Sequence, residues 1–147
     1  MAGKTLENYK INVKVKLALL WTALMFLYIY ADYFELMTPG KLESMMQLKT
    51  PMGPTTPGLL TIFAVLLIVP ALMIVLSVFL APLFSKWTNI AAGVVYAAIS
   101  ALIIISSFDS EWHRFYVLYN VIELGVLVTI IWQAWTWPGE AESSSRS

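Results

Sequence analysis

Leu59–Leu80 reads LLTIFAVLLIVPALMIVLSVFL, twenty-two residues without a formal charge. At about 1.5 Å per residue this run makes a helix about 33 Å long, enough to cross a hydrocarbon core of about 30 Å. Three runs of similar length flank it. Ile90–Phe108 is charge-free over nineteen residues, Phe115–Trp137 holds one acid, Glu123, and Leu17–Met37 holds Asp32 and Glu35 in its last two turns. Leu17–Ala31 is uncharged, and Lys14 and Lys16 can snorkel at its start, so this run also reads as a span. No small-residue cleavage site follows it, and three more spans do, which favours a retained helix over a cleaved signal peptide.

Composition agrees with four spans. The 147 residues are 59% hydrophobic and 12% charged, with a mean hydropathy of +0.75, whereas soluble domains carry about 25% charged residues. The expected fold class is all-α, an integral membrane bundle of four transmembrane helices over 17–37, 59–80, 90–108 and 115–137. A long first extracytoplasmic loop and a disordered tail over 138–147 complete it. The nine bases and nine acids cancel, so no bulk charge points to nucleic acid. In detail the spans hold Asp32, Glu35 and Glu123 and no base, a charge of −3, while the flanks carry +3.

Basic residues in short flanks set orientation. With the N-terminus inside, the inner side collects Lys4, Lys10, Lys14, Lys16, Lys86 and Arg146, against Lys41, Lys49 and Arg114 outside. Cytoplasmic N- and C-termini in a plasma or inner membrane follow. Trp132, Trp135 and Trp137, with Trp21 and Trp87, fall near the inner ends of the spans and read as an aromatic belt.

The first loop, Thr38–Gly58, contains Pro39, Pro51, Pro54 and Pro57 with three glycines, too many breakers for a continuous helix. Within it Leu42, Met45, Met46 and Leu48 recur at near-helical spacing, which fits either a short interfacial helix or a plain tether. About nine residues around Pro82 and Lys86 join the second and third spans. Pro70, in the middle of the second, removes an amide donor and crowds the Leu66 carbonyl, so a kink is expected there. Gly93, Ala97 and Ala101 recur at i+4 in the third span, a small-residue face for close helix packing within the bundle or between copies.

Several chemistries are excluded outright. There is no cysteine and one histidine, so disulfides, thiolate metal sites, bis-histidine haem and tris-histidine zinc are impossible within one chain. No lysine lies within the four apolar runs to form an intramembrane Schiff base, and no glycine-rich phosphate loop or nucleophile elbow occurs. No cofactor or metal is implied. What remains is polar. His113, Tyr116, Asn120 and Glu123 fall at offsets 0, 3, 7 and 10 on the last span, and Tyr28, Asp32 and Glu35 at 0, 4 and 7 on the first, each set on one helical face. The first span runs outward and the last inward, so both stripes occupy the outer half. Glu123, about 13 Å in from Arg114, is the deepest.

An ionised acid at that depth facing lipid costs about 3 kcal/mol on the insertion scale. Glu123 must therefore face the bundle, meet donors such as Asn120, Tyr28 or Tyr116, or carry a proton. It is either a proton- or cation-binding site or interhelical hydrogen-bond glue. Asp32 and Glu35 belong to that site or lie at the interface, and His113 is either a relay or an ordinary interfacial residue.

The stretches KVKLALLWTALMFLYIYAD (Lys14–Asp32), VPALMIVLS (Val69–Ser77) and FYVLYNVIELGVLVTIIWQAWTWP (Phe115–Pro138) resemble a bacterial and archaeal family of four-helix integral membrane proteins classed as a domain of unknown function. The resemblance implies four spans over nearly the whole chain and no activity. Three functions stay open: a small transporter or binding protein for a small molecule or cation using Glu123, a non-catalytic interaction or assembly protein, or an intramembrane enzyme acting on a lipid-soluble substrate. A protomer of four helices encloses little volume, so the first is expected to work as a homodimer or larger homo-oligomer. In that it is similar to small multidrug exporters by architecture alone, since here the deepest acid is on the last helix.

Overall fold

A computed structural model describes residues 10–50, 53–107 and 111–139. The expected disordered tail falls mainly on residues 140–147, and Lys4, Asp109 and Arg146 also lie outside the described residues.

Three of the four long helices start at a side chain that accepts a first-turn amide or at a proline that removes one, and the last follows a 3-10 turn without a side-chain cap. Asn12 accepts the Lys14 amide and opens α1, Val13–Glu35. Gly40, at φ 75°, supplies the left-handed turn that opens the short α2, Lys41–Met46. Strands β1 (Lys49–Thr50) and β2 (Gly53–Pro54) pair antiparallel, Lys49 opposite Pro54 and Thr50 opposite Gly53. The first loop thus contains a helical turn of six residues and a small ribbon. Thr56 caps α3, Pro57–Phe79, with Pro57 in its first turn, where a missing N–H costs nothing. α4 is Pro82–Ser107, and α5, Arg114–Trp135, follows a 3-10 turn at Glu111–His113.

The third span therefore begins eight residues before the apolar run at Ile90. Its connection to α3 is Leu80–Ala81 alone, where about nine residues were expected. The reason is proline at the start of a helix: Pro82 favours the first turn, and Lys86 is carried inside α4 by reaching the C-terminal end of α5. Lys86 Nζ donates to the Trp135 carbonyl and lies 5.9 Å from that indole ring. Lys14 does the same for α3, donating to the carbonyls of Val78 (3.1 Å) and Leu80 (2.6 Å). Both lysines thus sit on helix C-termini, where unpaired carbonyls and the helix dipole favour a cation.

Four helices, α1, α3, α4 and α5, are long and apolar enough to cross a membrane. α1 packs on α3 and α5, α4 packs most extensively on α5, and α3 packs more lightly on α4. The centre is filled by Leu17, Trp21 and Leu24 of α1, Met73 of α3, Tyr96 of α4, and Leu127, Ile130 and Ala134 of α5. Large apolar side chains such as Leu60, Ile68, Leu72 and Val75 cover the outside, while the buried polar residues are Ser77, Ser85, Asn89, Ser100, Asn120 and Glu123. This reverses the arrangement of a water-soluble domain and suits a hydrocarbon solvent.

Two polar joints and one close contact fix the helices. Trp21 is fully buried, which removes it from the expected aromatic belt. Its indole N–H donates to Asn89 Oδ1 at 2.7 Å, and the Ser77 hydroxyl lies 3.0 Å from the same oxygen. Asn89 donates in turn to the Ser85 carbonyl, and Ser85 to the Ser77 carbonyl. This joins α1, α3 and α4. Trp87, Trp132 and Trp135 are exposed, as anchors would be. The second joint is at Pro70. The Leu66 carbonyl, which loses its partner in the turn, accepts instead from the Tyr96 hydroxyl of α4 at 2.7 Å. Gly93 makes the close contact: a Cβ there would lie 2.7 Å from Ile131 Cγ1 of α5. The small-residue face at Gly93 is therefore filled by α5 of the same chain, with Ala97 packed against the core beside it.

Candidate functional site

The packing of α1 on α5 brings the C-terminal end of one to the N-terminal end of the other. Phe34 meets Phe115 at 6.5 Å and Tyr119 at 6.4 Å between ring centroids, which fixes the register of the two helices. Tyr28, Asp32 and Glu35 then face Tyr116, Asn120 and Glu123 through the spacing that places each trio on one helical face.

Glu123 and Asn120 are 3% and 2% exposed, enclosed together with Ser100 at 2% at this end of the bundle. Glu123 lies about 13 Å along α5 from Arg114, and Asn120 about 9 Å. Ser100 of α4 lies beside the Glu123 carboxyl, and Asp32 and the phenols of Tyr28 and Tyr116 are close enough to feel its charge. The Asn120 amide nitrogen donates to the Tyr116 carbonyl one turn back at 2.9 Å. Its oxygen is buried and accepts nothing. A buried acceptor without a donor costs about 1–3 kcal/mol, and among the described residues this is the one fully buried side-chain nitrogen or oxygen atom without a partner.

Asp32, nearer the helix end, is exposed. Glu35 is half-buried and paired with Lys41 of α2 at 2.6 Å, so the short helix of the first loop is tied to α1 by an ion pair. His113 closes the 3-10 turn and precedes α5. No hydrogen bond or ion pair joins it to the acids among the described residues. Pro70, Gly93, Ala97 and Ala101 lie on α3 and α4 and belong to helix packing.

Ser100 and Tyr96 are the two site-facing residues that the sequence reading did not single out. The signal was present: Ser85, Asn89, Tyr96 and Ser100 recur at intervals of four, seven and four, a polar stripe along α4. Tyr96 links the two ends of the bundle, contacting Trp21 edge-on at 6.2 Å and Tyr28 at 6.5 Å.

Two clefts flank this centre. One, of about 320 Å³, is lined by Phe34, Met37, Thr38, Trp112, Phe115 and Tyr119 at the mouth of the α1–α5 seam. The other, of about 340 Å³, runs between α3 and α4 and has Tyr96 in its wall. Glu123 lines neither. Among the described residues no group of three histidines, cysteines or acids is placed to hold a metal ion. The chemistry available is that of acceptors: two carboxylates and an amide oxygen, backed by phenols and a serine.

No curated protein and no solved structure matches the chain. Residues 4–144 match the model of a family described as a family of unknown function, DUF6326, and the chain belongs to that family.

Proposed function

We propose that this is a small membrane transporter or ligand-binding protein whose site is formed by Glu123 and Asn120, with Asp32 at its mouth, and that the site takes a proton or a cation. The supporting observation is the Asn120 oxygen, buried and without a donor one helical turn from a buried carboxyl. An acceptor surplus in an enclosed place calls for a guest that brings protons or positive charge. Lys41 is engaged by Glu35, and Lys14 and Lys86 cap helix ends that lie at the other end of the bundle. Basic residues at that other end support cytoplasmic termini in a plasma or inner membrane.

Dicyclohexylcarbodiimide, a hydrophobic reagent for protonated carboxyls, tests the site in liposomes containing the full chain. Mass spectrometry is expected to find its adduct on Glu123, lost in Glu123→Gln and suppressed by alkaline buffer. A Glu123 that stays unmodified in acid buffer would overturn the reading.

A second reading has its own observation. Ser100 of α4 and Glu123 of α5 are both buried and lie side by side, which is what an assembly protein with a purely structural polar stripe requires. On that reading Glu123→Gln weakens the fold and the carbodiimide finds nothing.

A further inference from the structure

We infer that the guest of this site is a lipophilic organic cation carrying N–H donors, received first in the cleft between Phe34, Trp112, Phe115 and Tyr119. The inference rests on the reading of Glu123 and Asn120 as a binding site and specifies what that site binds.

Three observations lead to it. The cleft is of small-ligand size, about 320 Å³, and its wall is mainly aromatic. Aromatic faces attract apolar bodies and cations alike, and lend an anion nothing. The same short stretches also supply the acids. Phe34 lies between Asp32 and Glu35 on α1, and Phe115 and Tyr119 flank Tyr116 and precede Asn120 on α5. The cleft wall itself holds none of the acids, but Tyr119 immediately precedes Asn120 on α5 and Phe34 lies two residues from Asp32 on α1, so the cleft adjoins the polar stripe along both helices.

Charge complementarity selects the sign. Of the three bases at this end, Lys41 is paired with Glu35, Arg114 with Glu111, and Lys49 donates to Gln47, against the five acids Asp32, Glu35, Glu43, Glu111 and Glu123 among the described residues; the carboxylate of Asp32 stays exposed with no ion pair there. The field at the mouth is thus negative, favouring a cation and repelling an anion. The kind of cation follows from Asn120. Its free oxygen can only accept, so it rewards an ammonium N–H and gains nothing from a quaternary nitrogen.

The test compares phenethylammonium with its N,N,N-trimethyl analogue by calorimetric titration of the full chain in phospholipid nanodiscs. The two share ring, linker and charge and differ in N–H donors. Phenethylammonium is expected to bind about tenfold more tightly, the order of one charge-assisted hydrogen bond. Asn120→Leu, checked for retained helicity, should erase that preference. Trp112 is exposed, so Trp112→Leu spares the fold, and it is expected to weaken both ligands about threefold through the lost aromatic face. Equal affinity of the two ammonium ions, no binding of either, or unchanged binding by Trp112→Leu would overturn the inference. If phenethylammonium fails to bind while Glu123 still reacts with the carbodiimide, the cation inference alone falls. If Glu123 does not react either, the underlying site reading falls with it.

Discussion

The Tyr96 hydroxyl donates to the Leu66 carbonyl at 2.7 Å, the carbonyl that Pro70 leaves without a partner four residues on. A proline in a membrane helix is tolerated when a neighbour satisfies the freed carbonyl, and here the neighbour is a phenol on a helix that otherwise packs loosely against α3. Tyr96→Phe is expected to destabilise the bundle by about 1–2 kcal/mol. Pro70→Ala restores the N–H within α3, so in that background Tyr96→Phe should cost much less. A double-mutant cycle in mixed-micelle unfolding measures the coupling. Equal cost of Tyr96→Phe in both backgrounds would show that Tyr96 does not act by satisfying the carbonyl that Pro70 frees.

Asn89 receives the Trp21 indole N–H in a fully buried place. Asn89→Leu leaves that donor and the Ser77 and Ser85 groups without their shared partner. A loss of about 2–3 kcal/mol is expected, read as a lower midpoint in thermal unfolding in detergent. Trp87→Phe, at an exposed indole, should stay within about 0.5 kcal/mol of the wild type.

Gly93 and Gly125 should behave oppositely. A methyl at Gly93 meets Ile131 Cγ1 at 2.7 Å, whereas nothing lies within 4 Å of one at Gly125. Gly93→Ala is expected to cost about 1–3 kcal/mol and to be partly relieved by Ile131→Ala. Gly125→Ala should be neutral or stabilise by up to about 1 kcal/mol through helix propensity. The same unfolding assay reads all three.

Much of the fold was legible because the solvent imposes it. A charge-free run such as Leu59–Leu80 has one stable form in hydrocarbon, and Pro70 marked the Leu66 carbonyl as needing a partner. The acidic stripes on the first and last spans were visible from helical spacing alone. Which helix faces which is not a periodic signal, and there the reading failed. Trp21 looked like an anchor by its distance from the span end, but it is buried because Asn89, sixty-eight residues on, accepts its N–H. The start of α4 was misplaced because an apolar run measures hydrocarbon, while a helix begins at a cap, here Pro82. Ser100 carries neither charge nor ring to mark it, although its spacing from Tyr96 and Asn89 puts it on the inner stripe of α4. The unpaired Asn120 oxygen was beyond sequence altogether, since a missing partner is a property of three dimensions.

The proton on Glu123 decides between a working site and a structural joint. Infrared difference spectra of the full chain in liposomes, taken between acid and alkaline buffer, report the carbonyl band of a protonated carboxyl directly. A reversible carboxyl band that disappears in Glu123→Gln and persists in Glu35→Gln is the expected result. Spectra in which Glu123→Gln removes no pH-dependent carboxyl band would contradict a titratable site at Glu123.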